Sequence, residues 1–226
     1  MDYGFGLNWD FRGVERPRYI AVEGPIGVGK TTLARHLAET FGYQVLLEET
    51  DKNPFLEGFY TQPGQSALPT QLFFLFQRIQ QLQDVHQDDL FESAYVADFL
   101  LAKDRLFAEA TLDKDEFLLY SQIADKLNSD PVAPDLVLYL QAPTSILMDR
   151  IHKRGVGFER AINPDYLDRL NDAYTRFFLH YDQSPLLIVN AKDLDLANNV
   201  KDYKALVEYL LTIKNGRHFY NPAPLL

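Results

Sequence analysis

Gly24, Gly29, Lys30 and Thr31 are spaced as G-x-x-x-x-G-K-[ST], with Pro25, Ile26, Gly27 and Val28 filling the pattern. The chemistry of that spacing is phosphate binding. Glycines let the backbone curl until successive N–H groups point inward at an anionic oxygen. Lys30 adds a point charge for the outer phosphates, the Thr31 hydroxyl suits Mg²⁺, and Thr32 extends the same nucleotide-binding segment. The pattern means this only between a strand and a helix. Arg18 to Val22 reads as a buried strand, and Thr31 to Phe41 as a helix whose N-terminal dipole favours an anion. A glycine-rich turn without a ligand would not require all three to agree.

Phosphoryl transfer to a hydroxyl also needs a base, a metal partner and cations over the moving group. Glu48, after the apolar run Tyr43 to Leu47, is the candidate base, and its neighbour Glu49 competes for the role. Asp98, after Tyr95 to Ala97, is the candidate metal partner. The plain reading of either acid is a helix cap or a solvated loop. Gln71 and Arg78 lie seven apart on a helix predicted from Leu68 to His86, with Phe74 and Leu75 on the same face. A planar base between aromatics would satisfy such buried polar groups. The alternative is a structural pair, with Asp104 as the partner of Arg78. Arg150 and Arg154 are four apart around Lys153 and precede Gly155 and Gly157. They read either as a lid that closes cations over phosphates or as surface charges. No two of the five histidines have helical metal-ligand spacing.

These residues need a scaffold that brings them together. Apolar strands are predicted at 18–22, 43–47, 95–97, 136–140 and 186–189, separated by helices. That alternation implies an α/β fold with a five-stranded parallel sheet, helices on both faces, and ligands at the carboxyl ends of the strands. One domain is expected over 17–214, with an irregular arm at 1–16 and an irregular tail at 215–226. The 226 residues carry a net charge of −10, which disfavours nucleic acid as a partner. Cysteine is absent, so disulfide and thiolate chemistry is excluded. No apolar run has the length of a membrane span, and the basic-then-apolar layout of a signal peptide is missing. The expectation is a cytoplasmic protein that stays off the membrane.

From Tyr19 to Ile213 the chain resembles the deoxynucleoside kinase family, as a divergent bacterial-type member. The agreement lies in the spacing of Glu48, Tyr60, Gln71, Arg78, Asp104, Arg150, Arg154 and Glu159 around a P-loop NTPase-type fold with a helical lid. The resemblance implies that Glu48 is the general base for a 5′-hydroxyl. It implies that Tyr60 and Glu159 touch the sugar 3′-hydroxyl, and that Gln71, Arg78 and Asp104 read the nucleobase. Lys30, Arg150 and Arg154 would stabilise the phosphoryl group, and Thr31 and Asp98 would hold Mg²⁺, with ATP as donor. It further implies a homodimer, a role in nucleotide salvage, and a purine or cytosine base in preference to thymine. Three positions depart from the family pattern. Glu49 replaces a proline, and Val156 replaces a third lid arginine. Phe99 stands where an arginine should follow Asp98, with Lys103 and Arg105 as candidate replacement cations. Glu92-Ser93 is a second match to that signature, but it precedes the strand instead of following it. Two rival functions remain: a nucleoside monophosphate kinase, and a nucleotide-binding protein that does no chemistry. The first would want arginines near Glu48, and 48–62 contains none.

Overall fold

A computed structural model describes residues 3–62, 64–88, 94–127 and 132–222, so the Glu92-Ser93 match lies outside the described residues. Six parallel strands form one sheet: β1 (Tyr19–Glu23), β2 (Gln44–Leu46), β3 (Tyr95–Ala97), β4 (Leu136–Gln141), β5 (Leu186–Asn190) and β6 (Arg217–Tyr220). Their spatial order is β2-β3-β1-β4-β5-β6. Every residue of β1 is buried, as in a strand covered on both faces. The chain leaves β1 towards one edge and leaves β3 towards the other. Their carboxyl ends therefore open a crevice at the switch point.

Between the strands run α1 (Lys30–Phe41), α2 (Leu56–Thr61), α3 (Ala67–Asp88), α4 (Asp104–Thr111), α5 (Lys114–Leu127), α6 (Thr144–Arg154), α7 (Pro164–His180) and α8 (Val200–Leu210). Their ends follow local chemistry. Gly42 closes α1 in the left-handed region, and the Asn163 side chain caps α7 ahead of Pro164. α3 buries Phe74 and Leu75 but leaves Phe76 52% exposed, so its apolar run is not enclosed all round.

One expectation needs correction. The sheet has six strands, because 217–220 pairs in parallel with β5. This edge strand alternates exposed and half-buried residues and has no apolar run to mark it. The N-terminal arm has one short regular turn and no helix or strand from 7 to 18. Tyr3–Gly6 is a 3₁₀ turn, and Phe5 stacks on His36 of α1 with ring centroids 4.6 Å apart.

The loop after β1 approaches its neighbours closely. At Gly24, φ is +150°, and an added Cβ would lie 2.4 Å from the Leu140 carbonyl oxygen. Gly157, by contrast, has open space around its missing Cβ. Gly24→Ala is expected to destabilise the chain by roughly 1–3 kcal/mol or more in urea unfolding. Gly157→Ala should stay within about 0.5 kcal/mol of wild type.

Candidate active site

The loop Gly24 to Gly29 joins β1 to α1, and Gly29 enters the helix in the left-handed region. Lys30 Nζ donates to the Gly24 carbonyl at 2.8 Å and to the Pro25 carbonyl at 3.3 Å. Below the loop lies Glu23, the fully buried last residue of β1. Its Oε1 accepts from Gly24 N (2.9 Å), Lys103 Nζ (2.9 Å) and the Tyr174 hydroxyl (2.8 Å). Its Oε2 accepts from Leu100 N at 2.8 Å. One carboxylate thus ties β1, the loop, the segment after β3, and α7. Sequence reading missed it. The available signal was an acid inside an otherwise apolar strand, directly before the loop.

Asp98 follows β3 and is also buried. Its Oδ2 accepts from the Thr31 hydroxyl at 2.5 Å and its Oδ1 from Glu48 N at 2.7 Å. A hydroxyl and a carboxylate side by side at the first turn of α1 are oxygen donors suited to a hard cation such as Mg²⁺.

The structure separates the two adjacent glutamates. Glu48 lines the crevice and pairs with Arg78, whose other amine pairs with Asp104. Glu49 faces outward, to Lys52 Nζ at 2.8 Å and Gln77 Nε2 at 3.2 Å. Arg78 is 4% exposed, and its guanidinium lies over the rings of Phe74 (5.3 Å) and Phe99 (6.0 Å). Phe99 is therefore a core residue beneath Arg78. Asp104 sits behind the guanidinium, whereas Gln71 lines the crevice and donates to the Thr111 hydroxyl at 3.3 Å. Of the two candidate replacement cations, Lys103 lines the crevice, while Arg105 lies on the surface 3.7 Å from Asp125.

The crevice holds about 530 Å³ between the loop, Glu48, α2, α3 and the lid. Tyr60 lines it and stacks on Phe158 of the lid, with centroids 6.0 Å apart. Phe59, Phe107, Phe158 and Tyr166 complete an aromatic wall that sequence reading left unassigned. The Thr70 hydroxyl, buried in this wall, has no hydrogen-bond partner among the described residues. Arg154 reaches the crevice rim and holds Glu159 through two bonds, at 2.7 and 3.0 Å. Arg150 does not accompany it. Its guanidinium donates to the carbonyls of Val28 (3.2 Å) and Ala191 (2.8 Å) and lines a second cavity of about 450 Å³. That cavity lies against Val28, Gly29, Thr32 and the loop after β5. The phosphate loop thus has one cavity on each side, and Thr32 borders both.

Burial and charge compete at these groups. Burial would raise the Glu48 carboxyl, but Arg78, Lys103 and Lys30 outweigh it and hold it at about 2. Asp104 goes the other way: burial lifts it to about 6 against the pull of Arg78 and Lys103. Burial also raises Asp98 and lowers Lys30, which Lys103 pushes down further. The sign for Glu48 is that of a depressed carboxylate. Its stabilisation is complete above its ordinary 4.5 and is lost as pH falls towards about 2. Urea unfolding between pH 5 and 2.5 should show wild type losing on the order of 2 kcal/mol more than Glu48→Gln.

The family model described as deoxynucleoside kinase matches residues 20–213. Deoxyguanosine kinase of Bacillus subtilis (strain 168) is 32% identical over 197 residues, covering 85% of this chain and 95% of the relative. Deoxyadenosine kinase of Lactobacillus acidophilus is 29% identical, covering 84% and 93%. Among solved structures, deoxyadenosine kinase from M. mycoides with bound dATP superposes with a TM-score of 0.74 at 25% identity, covering 85% of this chain and 98% of that one. Together with the phosphate loop and its flanking cavities, these likenesses fix the assignment: the chain belongs to the deoxynucleoside kinase family, transferases that phosphorylate nucleosides.

Proposed function

We propose that this chain transfers the γ-phosphoryl group of ATP to the 5′-hydroxyl of a deoxynucleoside bearing a purine or cytosine base. The observation that carries the reading is the Glu48–Arg78 pair in the crevice beside Lys30 and Thr31. It places an ionised carboxylate where the loop faces a ligand cavity. The same guanidinium continues to Asp104 and lies near Gln71, at the aromatic end of that cavity.

On this reading the nucleoside occupies the crevice, with its base among Gln71, Phe74 and Arg78 and its sugar near Tyr60 and Glu159. Glu48 accepts the proton of the 5′-hydroxyl. The 5′ oxygen bonds to the γ-phosphorus as the bond to the β–γ bridging oxygen breaks, and ADP leaves. Lys30, Arg154 and the loop amides neutralise charge on the phosphoryl group in flight. Thr31 and Asp98 would hold Mg²⁺, which supplies further neutralisation of the donor phosphates. Arg150 acts on the donor side, as a wall of the second cavity, apart from Arg154. The base preference is supported by relatives named for deoxyguanosine, deoxyadenosine and, in Bacillus subtilis, deoxyadenosine/deoxycytidine. A cytoplasmic salvage enzyme acting as a homodimer is the setting this reading implies. No helix among the described residues is long and apolar enough to cross a membrane.

The test is incubation with ATP, Mg²⁺ and a panel of nucleosides and nucleoside monophosphates. Deoxynucleoside 5′-monophosphate is the expected product. Transfer only to monophosphates would identify a nucleoside monophosphate kinase, and ATP binding without transfer a non-catalytic protein. Glu48→Gln should lower kcat by roughly 10²–10⁴-fold; turnover at the wild-type rate would remove Glu48 as the base. Arg78→Ala should change the ranking of nucleosides, and an unchanged ranking would end its base-reading role. Arg150→Ala should raise the KM for ATP about tenfold while the nucleoside KM stays within about twofold, in keeping with the loss of one charge-assisted contact.

A further inference from the structure

Three cations meet the floor of the crevice, and each has partners in the protein. Lys30 folds back on its own loop, and Arg78 lies between two carboxylates. The third, Lys103, ends the 3₁₀ turn Leu101–Lys103 after β3 and is 1% exposed. Lys103 lines the crevice together with Lys30, Thr31, Glu48 and Asp98, and its ammonium lies over the ring of Phe107, another lining residue, 5.0 Å from the centroid. One of its three protons goes to Glu23 Oε1 at 2.9 Å. Glu23 is already held by three neutral donors: Gly24 N, Leu100 N and the Tyr174 hydroxyl. Three of its four hydrogen bonds thus come from neutral groups, and the lysine adds the counter-charge. Taking an ammonium out of water is costly, and a structural pair of this kind is often replaced by apolar residues without loss. The position that would carry an arginine by resemblance, directly after Asp98, is filled by Phe99, which is fully buried under Arg78.

We propose that Lys103 is a catalytic residue, the acceptor-side cation of the transfer centre, whose ammonium contacts the incoming 5′ oxygen and the γ-phosphoryl oxygens as the bond forms. The proposal rests on the reading of Glu48 as the base beside the phosphate loop. Glu23 has a matching part: it fixes the ammonium at the crevice floor and leaves two N–H groups for the reacting oxygens.

The experiment compares wild type, Lys103→Met, Lys103→Arg, Glu23→Gln, the double variant Glu23→Gln/Lys103→Met, and Glu48→Gln. Steady-state kinetics and thermal melting are recorded for each. Lys103→Met should lose about 10²–10³-fold in kcat with nucleoside KM changed by no more than a few-fold, the pattern of a contact made in the transition state. Lys103→Arg should recover part of kcat. The double variant has no buried unpaired charge and so should melt above Lys103→Met, yet remain about 10²-fold or more slower than Glu23→Gln alone. Equal turnover in Glu23→Gln and the double variant would make Lys103 a counter-ion only and overturn the proposal. Wild-type kcat in Lys103→Met would overturn it directly. Failure of the underlying reading shows separately, as an active Glu48→Gln. A dead Glu48→Gln beside an active Lys103→Met refutes the lysine alone.

Discussion

A carboxylate with no access to water lies under the phosphate loop, and the architecture depends on how Glu23 is satisfied. Burying a lone carboxylate costs several kcal/mol even after relaxation. Here the cost is offset by four donors from three segments: a loop amide, an amide and a lysine after β3, and a tyrosine of α7. Each donor holds its segment in place. The first amide of the loop cannot rotate away, the chain after β3 must pass close to β1, and α7 must pack with Tyr174 directed inward. The loop is thus positioned from below by a charge, as well as by its glycines.

The same logic extends upward through the crevice. Asp98 joins Thr31 to Glu48 N, and Arg78 joins Glu48 to Asp104. A continuous run of hydrogen bonds and ion pairs leads from the strand ends towards the aromatic wall. Because the groups are buried, their interactions are little screened, and each is held before a substrate arrives. That is the condition under which fixed charges stabilise developing charge most effectively. Asp104 near 6 and Glu48 near 2 show how the bridging guanidinium treats its two partners unequally. Glu48 gains more from neighbouring cations than it loses by burial, and Asp104 does not.

The loop and its strand–helix frame were legible in the sequence because they are local: their signals lie within a few residues of one another. Glu48 and Asp98 were legible as strand-end acids for the same reason. What distinguishes Glu48 from Glu49 is which way each side chain turns, and adjacent positions share every sequence property used to find them. Lys103 and Arg105 posed the same problem, resolved only by where the 3₁₀ turn aims the first and α4 the second. Arg150 and Arg154 share a helix face by spacing. α6 nevertheless passes the loop so that one turn meets the donor side and the next meets the rim. Glu23 was overlooked because its partners are 77 or more residues away, apart from Gly24. β6 was overlooked because an edge strand needs little hydrophobicity.

The placement of one cavity on each side of the loop has a kinetic consequence. On the proposed reading donor and acceptor do not compete for a single chamber, so neither must leave before the other enters. On the proposed reading both are present when the phosphoryl group moves, and no side chain has to carry it in between. The transfer is then a single displacement in a ternary complex, with inversion of configuration at phosphorus and no requirement for an obligatory order of addition.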